Sequence, residues 1–255
     1  MLQNELEKLY RKYKQREIES LDHVEIPEGK YLCIRMDGFK ASKNHLKDVL
    51  INKRFNEGMK NGYENLFYSF RHYFTNEYSS AILAALIIND EVSIILNNKN
   101  EADDAKRIMK ITTLFAGMMS SNTYIKGSKN KGRKYIAFDA RPILLDEDEI
   151  AEYIRHRYLI AVRYAHWKVL RLDGLIEEND NEAKFNINTA MSLTREHEVY
   201  DKAQKLIATY TFLLTEREQR PAYKKIDLTK DAMTLDSIKQ HMRDCLNYCS
   251  SLTTK

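Results

Sequence analysis

Three carboxylates stand beside apolar segments of the sequence, where they could bind a divalent cation. Asp37 follows the apolar run Tyr31–Met36, and Asp90 and Glu91 lie between two longer apolar runs. Carboxylate oxygens are ligands that Mg²⁺ prefers, and water and phosphate oxygens complete its coordination shell. These residues form a candidate magnesium site if the fold brings Asp37 to the acidic pair.

Such a site would suit phosphoryl transfer. Two Mg²⁺ ions held about 4 Å apart can activate an attacking oxygen and stabilise a leaving pyrophosphate without a protein nucleophile. Gly38 fits this reading, because a residue without a Cβ lets the backbone approach a metal or a phosphate closely. The same residues also have a plainer interpretation: Asp-Gly after a strand is a common turn, and Asn-Asp-Glu between strands is a common polar hairpin tip. Spacing alone leaves both interpretations open.

The predicted elements would bring these carboxylates to one edge of a sheet. Tyr31–Met36 predicts a buried strand ending at Asp37, and Ala81–Ile88 with Val92–Leu96 predicts a β-hairpin with an acidic tip. The other elements predicted here are a helix over about 47–70, a helix over Glu101–Thr123 capped by Asn100, and a strand over Lys134–Asp139. This order is the ferredoxin-like arrangement of nucleic-acid polymerase palms, in which the first strand is central and lies beside the hairpin.

The rest of the chain is predicted to be helical. The first twenty residues have the pattern of an amphipathic helix, and further helices are predicted at about 147–173, 195–219 and 231–251. Only 8 Gly and 3 Pro occur, which favours a helix-rich chain. We therefore expect an α+β protein with a catalytic palm-like domain and N-terminal helix over residues 1–145, and a mostly helical extension over residues 146–255.

Composition narrows the class of protein. The 255 residues carry a formal net charge of only +4, so any basic surface must come from local patterning. The 3 cysteines form neither a disulfide framework nor a zinc-ligand spacing. The longest apolar run, Ala81–Ile88, is far shorter than the roughly 20 residues that cross a bilayer, and the N-terminus has no hydrophobic signal core. We expect a cytoplasmic protein that does not associate with membranes.

One short segment concentrates positive charge. Residues 126–134 contain five Lys or Arg residues and two glycines, and Lys129, Lys131 and Arg133 are candidate contacts to RNA phosphates. Such contacts would supply affinity and salt sensitivity without reading sequence. A solvated hairpin loop whose lysines aid solubility is an equally good interpretation of this segment.

Four short motifs resemble the tRNA(His) guanylyltransferase family and its bacterial and archaeal relatives. They are Ile34–Gly38, Asn89–Ser93, Phe138–Arg141 and the segment Glu149–Arg157. The family shows Arg-x-Asp-Gly, Ser-Asp-Glu-x-Ser, Phe-Asp-x-Arg and Trp-Arg-Gln in this order and at similar spacing. The resemblance spans residues 31 to about 165, roughly half of the chain.

The resemblance implies a polymerase that works in reverse. Family members add nucleotides to the 5′ end of tRNA, so the chain grows in the 3′-5′ direction. They activate a 5′-monophosphate with ATP or use a 5′-triphosphate directly, and the 3′-hydroxyl of an incoming nucleotide, GTP by preference, attacks the activated end. The implied partners are tRNA or a tRNA-like RNA, with GTP and ATP as substrates. The implied assembly is a homo-oligomer, commonly a tetramer in the family.

The resemblance also assigns residue roles at the acidic motifs. By similarity, Asp37 and Asp90 would ligate two Mg²⁺ ions, the carbonyl of Gly38 would complete one shell, and Glu91 would support the metal site. These assignments give the candidate carboxylates a common function in nucleotidyl transfer.

Three basic residues occupy places that the family uses for substrates. Arg107 and Lys110 stand where the family has an Arg and a Lys that contact the nucleotide triphosphate, three residues apart on a predicted helix. Arg157 stands in the place of the Arg of Trp-Arg-Gln, where it would contact RNA. The alternatives are a solvated helix face for Arg107 and Lys110, and a helix-surface salt bridge for Arg157.

Departures from the family pattern affect the expected substrate. Phe39–Ser42 replaces the family's Arg-x-Phe-His continuation, and Val162–His166 stands where eukaryotic members have a segment linked to histidine tRNA. We therefore predict a divergent member that repairs or extends tRNA-like 5′ ends. A palm-type nucleotide cyclase is one alternative, although Ile88-Asn89 replaces its usual Gly-Gly. A non-catalytic RNA-binding or assembly protein that kept the palm is another, and the retained carboxylates count against it.

Overall fold

The computed structural model describes residues 2–39, 82–88, 90–96, 107–126, 133–177, 185–215, 224–227, 234–240 and 242–243. These residues belong to two compact units, one of residues 16–147 and one that joins residues 1–15 to 148–251. The helix predicted over about 47–70 lies outside the described residues. The predicted domain boundaries, 1–145 and 146–255, stay a prediction.

In chain order the described elements are α1 (Leu2–Glu19), a 3-10 helix (Ser20–Asp22), β1 (Tyr31–Gly38), β2 (Ile82–Ile88), β3 (Glu91–Leu96), α2 (Ile108–Asn122), β4 (Tyr124–Lys126), β5 (Arg133–Tyr135), β6 (Phe138–Leu145), α3 (Glu147–Leu172), α4 (Ile187–Glu196), α5 (Tyr200–Tyr210), β7 (Thr211–Thr215) and β8 (Lys224–Asp227). Residues 235–240 and 242–243 are also helical.

The unit of residues 16–147 is built on four antiparallel strands. They lie in the order β6-β1-β3-β2, so the first strand is central and next to the β2–β3 hairpin. This is the strand order of the ferredoxin-like arrangement. The α+β palm-like fold that the sequence predicts is therefore confirmed.

The central strand is longer than predicted. The sequence places its end at Asp37, but β1 continues through Gly38 because Gly38 pairs with Phe138 of β6. All of β1 is buried except Arg35 and Asp37, which are partly exposed. Their spacing of two places both side chains on the same face of the sheet.

The strand predicted over Lys134–Asp139 is wrong, because this stretch belongs to two strands with different partners. β5 pairs with β4, whereas β6 pairs with β1. Between them the N–H of Ile136 donates to the carbonyl of Thr123, and the carbonyl of Ala137 accepts from the N–H of Phe39. The chain changes pairing partner at these two residues, which ends one strand and begins the next.

Helix α2 covers one face of the sheet and begins later than predicted. Its buried stripe packs against β6 and β1, and consists of Ile108, Ile111, Thr112, Phe115 and Met119. The sequence predicts a helix from Glu101, but Arg107 has an extended backbone and bridges to Glu25. Residues 101–106 and the predicted cap at Asn100 lie outside the described residues.

The unit of residues 1–15 and 148–251 contains the long helix α3, which confirms the helix predicted over 147–173. The predicted N-terminal helix is confirmed as α1. Val169 and Leu170 of α3 form a buried cluster with Val199 and Ala203. Among the described residues, no helix has the length and apolar character needed to span a bilayer.

The C-terminal part, predicted to be mostly helical, also contains two strands that the sequence did not predict. The helix predicted over 195–219 is interrupted at Glu198, whose φ of 57° is left-handed, and α5 ends at Tyr210. Strands β7 and β8 follow and pair with each other. The β-branched and aromatic residues of Thr211–Thr215 favour an extended conformation over a helical one. Of the helix predicted over 231–251, residues 235–240 and 242–243 are described as helical.

Candidate metal and nucleotide site

The sheet brings three carboxylates into one row. Asp37 on the central strand lies directly opposite Glu91 of β3 and directly opposite Asp139 of β6. Residues that face each other across antiparallel strands project from the same side of the sheet. We call Asp37, Asp90, Glu91 and Asp139 the carboxylate edge. Like charges placed opposite each other repel, so this row needs compensating positive charge.

The backbone joins the two acidic motifs. The N–H of Gly38 donates a hydrogen bond of 2.9 Å to the carbonyl of Asp90. This bond holds the Asp37-Gly38 end of β1 against the turn that contains Asp90. These two segments are far apart in sequence, and they meet at one edge of the sheet, as the predicted strand order requires.

The carboxylates differ in environment. The side chain of Glu91 is only 8% exposed, and its Oε2 accepts a hydrogen bond of 2.9 Å from Nε of Arg35. The side chain of Asp37 is 51% exposed, and its Oδ2 lies 3.9 Å from Nη2 of the same arginine. Asp37 is thus accessible to a hydrated cation, whereas Glu91 is buried and held by a guanidinium.

Arg35, Arg141 and Glu17 form ion pairs with the carboxylate edge or with each other. None of the three was assigned a role from the sequence. Arg141 lies directly opposite Arg35 on β6, and its Nη2 donates to Oδ2 of Asp139 at 3.0 Å. Nη1 of Arg141 donates to Oε1 of Glu17 at 2.9 Å. The bond with Glu17 raises the pKa of Arg141 and the bond with Asp139 adds to this effect, although burial acts in the opposite direction.

A signal for the arginines was present in the sequence. Arg35-x-Asp37 and Asp139-x-Arg141 place an acid and a base two residues apart, which in a strand means the same face. Glu17 had no such signal, since it stands in a helix where charged residues are frequent.

The donor set of the edge fits Mg²⁺. Among the described residues, no three Asp, Glu, His or Cys side chains form a ready cluster of metal ligands. Mg²⁺ does not require one, because it is usually bound by one or two carboxylates and keeps several waters or substrate phosphates. Asp37 supplies an accessible carboxylate and Asp90 lies beside it at the hairpin turn, so both candidate ligands are hard oxygen groups.

The predicted nucleotide contacts lie at the start of α2. Arg107 is the N-cap residue and Lys110 is in the first turn, and both side chains are exposed. The predicted pairing on one helix face is wrong, because Arg107 is extended and not helical. The first turn of α2 contains no acidic residue. Two cations at the positive end of a helix dipole create a region that attracts anions.

The predicted RNA contacts are only partly described. Lys129 and Lys131 lie outside the described residues, and Arg133 is the first residue of β5. Arg157 lies in α3 and is 7% exposed. Its contact with RNA stays a prediction, which this burial disfavours.

Comparison with known proteins supports the fold. No sequence-family model and no curated sequence matches the chain. A bacterial tRNA(His) guanylyltransferase-like protein in complex with ATP is 14% identical, with a TM-score of 0.60, over 90% of this chain and 97% of that chain. Its structure in complex with GTP has the same identity and coverage, with a TM-score of 0.52.

A third solved structure is the tRNA(His) guanylyltransferase of Saccharomyces cerevisiae, with 14% identity, a TM-score of 0.47, and coverage of 82% of this chain and 94% of that one. The two structures of the bacterial protein confirm, at the level of the fold, the resemblance that the motifs indicate. The chain has the fold of the bacterial tRNA(His) guanylyltransferase-like proteins.

Proposed function

We propose that this protein is a Mg²⁺-dependent nucleotidyltransferase that adds nucleotides, with GTP preferred, to the 5′ end of tRNA or a tRNA-like RNA in the 3′-5′ direction. The activity is that of a tRNA(His) guanylyltransferase-like enzyme or of a 5′-end repair enzyme. A cytoplasmic location and a homo-oligomeric state, a tetramer as in the family, stay predictions.

The observation that carries this proposal is the register of the sheet. Asp37 lies opposite Glu91, and the N–H of Gly38 donates to the carbonyl of Asp90 at 2.9 Å. The acidic motifs therefore meet at one end of neighbouring strands on a palm-like fold. The similar bacterial structures contain ATP and GTP, which supports a nucleotide as substrate here.

The carboxylates of the edge would take different parts. Asp37 and Asp90 would hold two Mg²⁺ ions together with the carbonyl of Gly38, and bound Mg²⁺ would supply charge stabilisation for the transferring phosphoryl group. Glu91 would support the site without binding the cation directly, since it is buried and bonded to Arg35. Asp37 remains accessible at 51% exposure, as a ligand of a partly hydrated cation must.

The start of α2 would bind the triphosphate of the nucleotide. Arg107 and Lys110 are exposed there, and no acid stands in the first turn to oppose an anion. The guanidinium and the ammonium would neutralise phosphate oxygens and orient the nucleotide. Lys129, Lys131, Arg133 and Arg157 stay proposed contacts to the RNA.

The reaction can be written with its bonds. The 3′-hydroxyl oxygen of GTP attacks the α-phosphorus of a 5′-triphosphate on the RNA, and a new phosphodiester bond forms. The bond from that phosphorus to the departing pyrophosphate breaks. The extended RNA then carries the triphosphate of the added GTP at its new 5′ end. On a 5′-monophosphate, the RNA phosphate would first take the adenylyl group of ATP with release of pyrophosphate, and AMP would then leave when the 3′-hydroxyl of GTP attacks.

A labelling experiment tests this proposal. The protein is incubated with Mg²⁺, α-labelled GTP and a 5′-triphosphorylated tRNA that lacks its first nucleotide, and label in the RNA is measured. We expect Asp90→Asn to lower incorporation by at least about a hundredfold, because a lost metal ligand removes several kcal/mol of transition-state stabilisation. Asp22→Asn removes an exposed carboxylate from the same unit and should leave the rate unchanged.

The alternatives give different results. Label found only in a free cyclic nucleotide would indicate a palm-type cyclase. Binding of tRNA without any incorporation would indicate a non-catalytic RNA-binding protein. Equal incorporation by the wild type and Asp90→Asn would contradict the proposed metal site.

A further inference from the structure

One side chain of helix α1, Glu17, contacts the two arginines that bind the carboxylate edge. Glu17 lies near the end of α1, and its two carboxylate oxygens face two different arginines. Oε1 accepts from Nη1 of Arg141 at 2.9 Å, and Oε2 lies 3.6 Å from Nη1 of Arg35. The side chains of Glu17 and Arg35 are each 20% exposed, whereas that of Arg141 is half exposed.

Each of these arginines also reaches the row of acids. Arg35 bonds to buried Glu91 at 2.9 Å and lies 3.9 Å from Asp37. Arg141 bonds to Asp139 at 3.0 Å. The positive charges therefore stand between Glu17 on one side and the carboxylate edge on the other, and Glu17 competes with the edge for both guanidiniums.

The charges explain why this competition matters. Glu17, Asp37, Glu91 and Asp139 carry four negative charges, and Arg35 and Arg141 carry two positive ones. A cation that binds Asp37 must compete with the arginines for carboxylate oxygens. An arginine held back by Glu17 neutralises the edge without covering Asp37.

We propose that Glu17 is a positioning residue, which draws Arg35 away from Asp37 and shares Arg141 with Asp139, and thereby keeps the carboxylate edge open to a divalent cation. This inference rests on the proposed function, since it concerns the same metal site. Without the negative charge of Glu17, Arg35 would turn toward Asp37 and Arg141 would bond to Asp139 alone, so both guanidiniums would compete more strongly with the cation for carboxylate oxygens.

Direct binding of Mn²⁺ to the full chain tests this role without RNA, nucleotide or turnover. Mn²⁺ suits the same oxygen ligands as Mg²⁺, and its free concentration is measured by electron paramagnetic resonance. We expect Glu17→Gln to raise the Kd for Mn²⁺ about tenfold, as for other residues that orient metal ligands from outside the coordination shell. Glu19→Gln removes the same charge from a more exposed position on α1 and should change the Kd less than about twofold.

A second measurement separates positioning from loss of charge. If Glu17 acts through the arginines, its replacement should have a smaller effect once Arg141→Gln is already present, so the two changes should not add. Additive effects of the two changes would overturn the proposal. Glu17→Asp is a milder variant whose shorter side chain cannot reach both guanidiniums, and it should weaken binding by an intermediate factor.

The outcomes also distinguish this inference from the proposed function. Asp37→Asn should weaken Mn²⁺ binding more than Glu17→Gln does. If Asp37→Asn weakens binding but Glu17→Gln behaves like Glu19→Gln, the role of Glu17 is overturned and the metal site stands. If Asp37→Asn leaves Mn²⁺ binding unchanged, the proposed metal site is contradicted, and the role of Glu17 fails with it.

Discussion

The two units of the protein each contain a network of ionisable side chains, and the two networks differ in how far their carboxylates are exposed to solvent. In the unit of residues 1–15 and 148–251, Nζ of Lys12 lies 3.0 Å from Oε1 of Glu149 and also contacts Glu152. The hydroxyl of Tyr13 bonds to the carbonyl of Glu149 at 3.1 Å and lies 3.0 Å from Oε1 of Glu152. In the unit of residues 16–147, Arg35, Arg141 and Glu17 join the carboxylate edge.

The helical network satisfies its polar groups within itself. Burial raises the pKa of Tyr13 far above its ordinary value, and the neighbouring Glu152 and Glu149 add to this effect, so the hydroxyl remains a donor. Glu149 is 8% exposed, and its carboxylate is met by the ammonium of Lys12. This network has the properties of a structural connection between α1 and α3.

The network at the carboxylate edge is more open. Asp37 and Asp139 are each about half exposed. Half-exposed acids are suited to a mobile cation, whereas a buried acid that is already paired with an ammonium is not. Exposure therefore distinguishes the two networks better than residue type does.

The largest expected change in stability follows from replacing Arg35. Arg35→Met leaves the buried carboxylate of Glu91 without its guanidinium, and we expect the free energy of unfolding to fall by about 2 to 3 kcal/mol. Urea unfolding measures this change. The matched control is Arg16→Met, which removes exposed ion pairs at 3.5 Å and should cost less than about 1 kcal/mol. Equal losses for both variants would contradict the importance assigned to Glu91.

We expect the stability of the unit of residues 1–15 and 148–251 to depend on pH through His166. His166 is fully buried, its Nδ1 lies 2.7 Å from Oγ1 of Thr194, and its Nε2 has no hydrogen-bond partner among the described residues. Burial, and secondarily the charge of Arg195, lowers the pKa of His166 to about 4. Between pH 6.5 and 4 the unfolded chain binds a proton that the folded chain does not, so stability falls as pH falls through this window.

The expected loss for His166 is on the order of 2 kcal/mol between pH 6.5 and 4. The measurement is the pH dependence of urea unfolding for the wild type and for His166→Leu, which removes the titrating group. Thr194 keeps its bond to the carbonyl of Met191 in that variant. Parallel pH profiles for the two proteins would show that His166 does not titrate in this way.

The smallest expected effect is at Tyr13. Tyr13→Phe removes the hydroxyl that joins Glu149 and Glu152, and we expect a loss of about 1 kcal/mol in the free energy of unfolding. Incorporation of GTP should be unchanged, because the helical network is structural. Tyr10→Phe, at an exposed tyrosine, provides the control. A loss of GTP incorporation without a loss of stability would contradict the structural role assigned to the helical network.

Much of the palm could be predicted because its signals are local. The apolar runs on either side of Asp90 and Glu91 predict the hairpin, and the order of elements predicts a central first strand. The extension of β1 through Gly38 could not be predicted, because it depends on pairing with Phe138 of β6, which is distant in sequence. The extended backbone of Arg107 likewise depends on its bridge to Glu25, which is distant in sequence.

The candidate site shows the same division. Asp37, Asp90 and Glu91 stand out because they follow or join apolar runs, and their meeting follows from the predicted strand order. The role of Glu17 could not be found in this way, since only the packing of α1 brings it to Arg35 and Arg141. Strand β7 was missed because its short apolar run is compatible with a helix until β8 provides a partner.

The fate of the γ-phosphate of GTP tests most directly whether the protein adds nucleotides in the 3′-5′ direction. In 3′-5′ addition the added nucleotide keeps its triphosphate at the new 5′ end, whereas 5′-3′ addition releases the γ-phosphate in pyrophosphate. With γ-labelled GTP, Mg²⁺ and a 5′-triphosphorylated tRNA that lacks its first nucleotide, we predict label in the RNA, which Asp37→Asn abolishes. An RNA that takes up α-labelled but not γ-labelled GTP, or neither label, would contradict the account.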